Sequence, residues 1–370
     1  MDQRERIINL KKLLNEKKLK AILITSIANI AYLTGYHNFS LIEREAYLVI
    51  AKDKNFIITD GRYSEAVLKN VPNFELLEIS PKNPLKNIFR ELKWKHHINN
   101  VGMEGDNITF EEFKLLEKVF KKIVPIKIRH RSIKNPEEVN LIQQACRLGD
   151  EAFKFILTKI KTGISEKELA FELEYFIRKN GSTLSFESIM AFGKNSSIPH
   201  HHSGEAILGP ETNSGREGQF VLLDFGVKFN NYCSDMSRTV FFGKPTKKQK
   251  EIYQVVLEAQ QKAIEFIQEK LKIGEEIKAK EVDKAARDNI KSKGYPSIPH
   301  GLGHGIGLEV HEPPRLSPKS KDYLKEGAVF SIEPGIYIPD FGGVRIEDLY
   351  VIKDGKLTQL TQSPKNLIAL

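Results

Sequence analysis

Phe220-Val221-Leu222-Leu223-Asp224-Phe225-Gly226 and, with its aspartate eleven positions beyond Asp224, Cys233-Ser234-Asp235-Met236-Ser237-Arg238-Thr239 read as neighbouring strands that carry acid into a core. An apolar run bounded by a glycine is the pattern of a buried strand. Carboxylates are rarely buried alone, because a charge taken out of water must be paired or be neutralised. The same conflict recurs downstream. Glu333 follows Ala328-Val329-Phe330-Ser331-Ile332, Glu347 lies between Val344-Arg345-Ile346 and Leu349-Tyr350-Val351-Ile352, and His304 sits among glycines in Gly301-Leu302-Gly303-His304-Gly305. Something cationic is expected to hold these side chains.

Oxygen-rich donor sets select hard or borderline divalent ions. Four carboxylates with one imidazole are too negative for one such ion and balance two. A pair of ions about 3.5–4 Å apart generates a nucleophile at neutral pH and clamps a tetrahedral intermediate, so hydrolysis is the leading chemistry. Two hairpins bring the ligands within reach. Asp224 and Asp235 flank a turn near Phe229-Asn230-Asn231, and Glu333 and Glu347 bracket a second strand pair with turns expected at Pro334-Gly335 and Gly342-Gly343. Arg345, two positions before Glu347, projects from the same strand face.

With 370 residues and no low-complexity tract, the chain can build two domains with substantial cores. No stretch approaches the ~18 apolar residues of a membrane span. The start, Met1-Asp2-Gln3-Arg4-Glu5-Arg6, lacks the apolar core of a signal peptide, so a cytoplasmic protein with no membrane partner is expected. Cys146 and Cys233 are the only cysteines, which excludes a disulfide framework and a CxxC-type metal or redox site. The net charge of +9, from 57 basic and 48 acidic residues, is spread over scattered lysines such as Lys121-Lys122 and Lys247-Lys248. Without a long basic run or interleaved aromatics, no nucleic-acid partner is expected.

Residues 1–131 alternate helix and strand patterns and read as an α/β domain. The segment 132–136 reads as a linker, with Asn135 as helix cap and Pro136 at the first helical position. Over 137–370 a helix pair followed by strands occurs twice, which predicts an α+β domain of two pseudo-equivalent halves. The residues themselves show no repeat, so this rests on element order alone.

With these residues placed, the chain resembles the Xaa-Pro peptidases of the pita-bread metallopeptidase family, which includes aminopeptidase P, prolidase and methionine aminopeptidase. The resemblance covers nearly the whole chain. It is carried by Leu223-Asp224-Phe225-Gly226, Asp235-Met236-Ser237-Arg238-Thr239, Gly301-Leu302-Gly303-His304-Gly305-Ile306-Gly307 with His311, Ser331-Ile332-Glu333-Pro334-Gly335-Ile336-Tyr337 and Gly343-Val344-Arg345-Ile346-Glu347-Asp348. Asn29-Ile30-Ala31-Tyr32-Leu33-Thr34-Gly35 and Asp60-Gly61-Arg62-Tyr63 look like the amino-terminal domain of creatinase and aminopeptidase P relatives, which methionine aminopeptidases lack.

The resemblance implies that Asp224, Asp235, His304, Glu333 and Glu347 bind two ions, commonly manganese, with cobalt, zinc or iron as alternatives. It implies that Glu333 exchanges a proton with the nucleophile, or is a ligand alone. His311 would stabilise the scissile carbonyl oxygen, and a histidine after Pro199 would lie near the scissile nitrogen. His200 is taken on register, with His201 and His202 one and two residues away. Arg345 would fix carboxylates or meet substrate, while His300 and Thr239 are expected behind the ligands. The implied activity is removal of an N-terminal residue ahead of proline, by a homodimer. An Xaa-Pro dipeptidase is the near alternative, sharing every ligand. A non-catalytic pita-bread scaffold is the reading from another class, and such a scaffold is expected to have lost ligands.

Overall fold

Ile7, Leu10 and Leu14 form the buried stripe of the helix Gln3–Glu16, and the strand Ala21–Ile24 that follows is buried at every position. Burial on both faces marks a central strand. The chain forms two compact units, Met1–Arg131 and Ser132–Leu370, in a computed structural model that describes residues 3–40, 42–209 and 218–370. Met1 and Asp2, where the expected absence of a signal peptide begins, lie outside the described residues.

The first unit is built on a mixed six-stranded sheet in the order Glu75–Ile79, Asn55–Asp60, Ala46–Ala51, Ala21–Ile24, Asn100–Glu104, Lys122–Ile126. Its middle is an antiparallel hairpin, and both outer strands are added in parallel. Parallel additions need crossovers, which the helices Ser64–Asn70 and Phe110–Val119 supply.

In the second unit the helix Pro136–Leu157 starts with Asn135 accepting from the amides of Glu137 and Glu138 while Glu138 bonds back to the cap. Ser165 and Glu168 do the same for Glu166–Lys179. This helix pair shares a core of Phe153, Leu173, Leu223 and Val240 with the sheet Ile189–Phe192, Gln219–Phe225, Met236–Phe242. The helices Lys247–Ile273 and Ala279–Ser292 repeat the arrangement over a five-stranded sheet, with Val256, Ala286, Phe330 and Tyr350 in the core. These are the two pseudo-equivalent halves of the pita-bread fold. Among the described residues no helix is long and apolar enough to cross a membrane.

Each half contains one long hairpin interrupted partway. In the first, Phe225 pairs with Met236, and beyond a gap Lys228 pairs with Cys233, so that Gly226 and Asp235 face each other at the interruption. The loop is Asn230-Asn231, with φ of 44° and 71°, the left-handed pair that a two-residue hairpin turn requires. In the second, Ile332 pairs with Asp348, and Gly335 with Arg345, which leaves Glu333 and Glu347 facing each other at the break.

The turns expected at Pro334-Gly335 and Gly342-Gly343 are therefore misplaced. Gly335 lies within the strand Gly335–Ile338 and Gly342 opens Gly342–Arg345, so the reversal spans 339–341, where Asp340 has φ 61°. Pro334 has no amide hydrogen to give a ladder, and it marks the point where the chain leaves one sheet for the next.

Candidate metal centre

Both interruptions open onto one cleft. Asp224, Asp235, His304, Glu333 and Glu347 line a cavity of about 480 Å³ together with His200, His300, His311, Arg315 and Arg345. Asp235, His304 and Glu347 offer ligand atoms within 4.8 Å of one another. His304 Nε2 lies 3.4 Å from Glu333 Oε1 and 3.6 Å from Asp235 Oδ2. All five predicted ligands are thus brought to one place, two from the first half and three from the second.

Glycines permit the approach. A Cβ on Gly226 would collide with the carbonyl oxygen of Ser234, and one on Gly303 with that of Ser331. The first contact lets the chain beside Asp235 close on Asp224, and the second seats His304 against the strand leading to Glu333.

The electrostatics of the cluster test whether cations fit it. Asp224 Oδ1, Asp235 Oδ1 and Glu347 Oε1 are buried acceptors that no donor reaches, and such orphans are rare in folded proteins. Burial, then the neighbouring carboxylates, pushes Asp235 and Glu333 well above the usual range. Burial and the charge of Asp224 push Glu347 up to about 8.

Burial, followed by the charge of His311, pushes His304 down to about 3. The short distances from His304 to carboxylates would be ion pairs only with a protonated ring, and burial argues for the neutral one. With Nδ1 facing the Gly305 carbonyl at 3.1 Å, the lone pair falls on Nε2, toward the acids. Lone pairs converging without donors are what divalent cations satisfy. The residues present fit the ions.

Other side chains brace these acids. Ser237, opposite Asp224 in the ladder, donates to Glu347 Oε2 at 2.8 Å and receives Arg345 Nε at 2.7 Å. Arg345 also binds Asp224, the Tyr337 hydroxyl at 2.9 Å and the Pro199 carbonyl at 3.3 Å. The guanidinium is thus committed to protein partners. Thr239 accepts from Arg345 N at 3.1 Å and donates to Arg345 O at 3.2 Å, and so fixes that strand. His300 bonds Gly301 O at 2.7 Å and the Tyr337 hydroxyl at 2.9 Å, and burial lowers it to about 4.

The His311 ring stands edge-on to His304, with centroids 4.4 Å apart. His200 faces the cleft close enough for its charge to weigh on both His300 and His311. His201 and His202 line the same cavity, and His201 also bonds Glu166 at 2.8 Å.

Sequence reasoning gave no role to Ser237, Tyr337 or the buried Arg238. Arg238 pairs with Asp348 at 2.6 Å and binds the carbonyls of Ser237, Ser363 and Pro364 from the face opposite the cleft. A signal was present: Glu347 and Asp348 are adjacent, so in a strand they point to opposite faces and one of them needs a second cation.

Fold and site together define a metal-dependent peptidase. The chain belongs to metallopeptidase family M24, whose model matches residues 140–354, and residues 6–133 match the creatinase/prolidase N-terminal domain. It is 35% identical over 379 residues to the Xaa-Pro dipeptidase of Pyrococcus furiosus, covering 99% of this chain and 100% of that protein. The Xaa-Pro dipeptidase from Bacillus anthracis superposes with a TM-score of 0.88 at 33% identity, over 100% of both chains. The X-Pro aminopeptidase from Thermotoga maritima superposes with a TM-score of 0.84 at 29% identity, over 98% of this chain and 99% of that one.

Proposed function

We propose that the protein is an Xaa-Pro dipeptidase, or prolidase. The sequence alone favours the aminopeptidase, and relatives named as dipeptidases over the full length shift the balance. One feature of the cleft carries the reading. Arg315 pairs directly with His304 across the ladder, so both side chains emerge on one face. Arg315 lines the cavity, and its guanidinium has no hydrogen-bond or ion-pair partner among the described residues. An unpaired guanidinium beside the metal ligands suits the terminal carboxylate of a dipeptide, which a longer peptide does not present there.

In this reading Asp224, Asp235, His304, Glu333 and Glu347 hold two divalent ions, for which manganese, cobalt, zinc and iron are all suitable. The ions supply Lewis acidity and an activated water at neutral pH. Glu333 takes a proton from the attacking water and delivers it to the proline nitrogen as the bond breaks. His311 donates to the scissile carbonyl oxygen as charge develops there. His200 lies toward the proline nitrogen, which carries no hydrogen of its own in the peptide and so cannot be recognised as an ordinary amide. Arg345 keeps Asp224 oriented.

The test is steady-state hydrolysis of Ala-Pro and Ala-Pro-Ala by the manganese-loaded protein. The expected kcat/KM is ~10-fold or more higher for the dipeptide, and Arg315→Ala should erase that margin through KM. Faster cleavage of the tripeptide would return the assignment to the aminopeptidase, and inactivity on both with manganese bound would favour the scaffold.

A further inference from the structure

Glu166 opens the helix Glu166–Lys179 and is completely buried. A carboxylate there must have every lone pair engaged. Its two oxygens accept from Phe192 N at 2.7 Å, Asn195 Nδ2 at 2.8 Å, His201 Nε2 at 2.8 Å and Gly204 N at 2.9 Å. All four donors come from the segment 192–204, which carries His200. The first helical turn adds Glu166 N to Ala206 O and Lys167 N to Gly204 O, both at 3.0 Å.

The same segment is fastened on its other side to the hairpin that ends in Glu347. Gly343 N donates to Ser196 Oγ at 2.8 Å, and Arg345 Nη1 to Pro199 O at 3.3 Å. His200 therefore projects between two fixed neighbours, with Pro199 tied to Arg345 and His201 tied to Glu166.

We propose that Glu166, gripping His201, Asn195 and the amides of Phe192 and Gly204, is the positioning residue that aims His200 into the cleft. This rests on His200 meeting the substrate. His201 and His202 lie beside His200 in sequence and line the same cleft, and of the three it is His201 that Glu166 grips directly. Glu166 touches neither metal ligand nor substrate and acts only through the loop.

A double-mutant cycle separates positioning from general support. Glu166→Gln, His200→Ala and the double variant are loaded with manganese and compared on Ala-Pro, with bound metal measured by plasma emission and folding by thermal melting. Glu166→Gln is expected to lower kcat/KM by ~10-fold or more at unchanged metal content, and by less than ~2-fold when His200 is already alanine. An equal loss in both backgrounds, or loss of metal, overturns the clamp. His200→Ala with wild-type kinetics overturns it by a different arm, since the histidine it aims would then have no role. If Glu166→Gln does not fold, Asn195→Ala and His201→Gln each remove one donor and enter the same cycle with the same expected non-additivity.

Discussion

Glu347 shows how a single residue reports the chemistry. One of its oxygens is satisfied by Ser237, the other has no donor, and burial beside Asp224 pushes it up to about 8. Asp235 and Glu333 are pushed up for the same reasons. For an acid whose folded-state value is raised, the native state holds protons that the unfolded chain has already lost. The stabilisation is complete below the unfolded value of about 4 and disappears as pH rises through the folded value. The metal-free protein should therefore weaken between about pH 5 and pH 8. Divalent ions need these groups ionised, so manganese binding near pH 6.5 should expel at least one proton per chain. Titration calorimetry in buffers of different ionisation heat reads this directly, and an enthalpy independent of buffer would count against it.

The gathering of these five side chains was legible at this scale because an acid or imidazole inside an apolar or glycine-rich run is a contradiction that only a few partners resolve. Ser237, Tyr337 and Glu166 were not, because serine and tyrosine are at home in strands and glutamate in a first helical turn. Their roles depend on which distant atom they meet.

Among elements, the helix start at Asn135 could be read in advance, since a capping box is complete within four residues. The interrupted hairpins could not. A break is defined by two sheets at once, and Pro334-Gly335 looks like a turn until its partner strand is known. The breaks are also where Asp235, Glu333 and Glu347 turn into the cleft, so they should tolerate little. Gly226→Ala puts a methyl group against the Ser234 carbonyl opposite. It should cost about 2 kcal/mol in denaturant unfolding and reduce bound metal, because relief requires the strand beside Asp235 to move. A variant with wild-type stability and metal content would show that the close approach of these strands is dispensable.

At the scale of the whole molecule, the two halves of the second unit share no obvious sequence repeat, and only the order of their elements revealed them. Each contributes an interrupted hairpin, and in the proposed function the ions would join Asp224 and Asp235 of one to His304, Glu333 and Glu347 of the other. Metal binding should thus stabilise the native state by about 2.7 kcal/mol at a hundredfold excess over Kd. Chelation should lower the calorimetric melting temperature by several degrees, and manganese should restore it. An unchanged melt would mean that the halves hold together without ions.

The most direct test of the central claim, that these carboxylates and one imidazole are gathered to hold two catalytic dications, is equilibrium dialysis against manganese with Ala-Pro hydrolysis followed in the same samples. About two ions per chain are expected, with turnover appearing as they bind, and Asp235→Asn should bind fewer and lose activity by ~10³-fold or more. Full turnover in the chelated protein, or an Asp235→Asn variant with normal metal content and normal activity, would contradict the account.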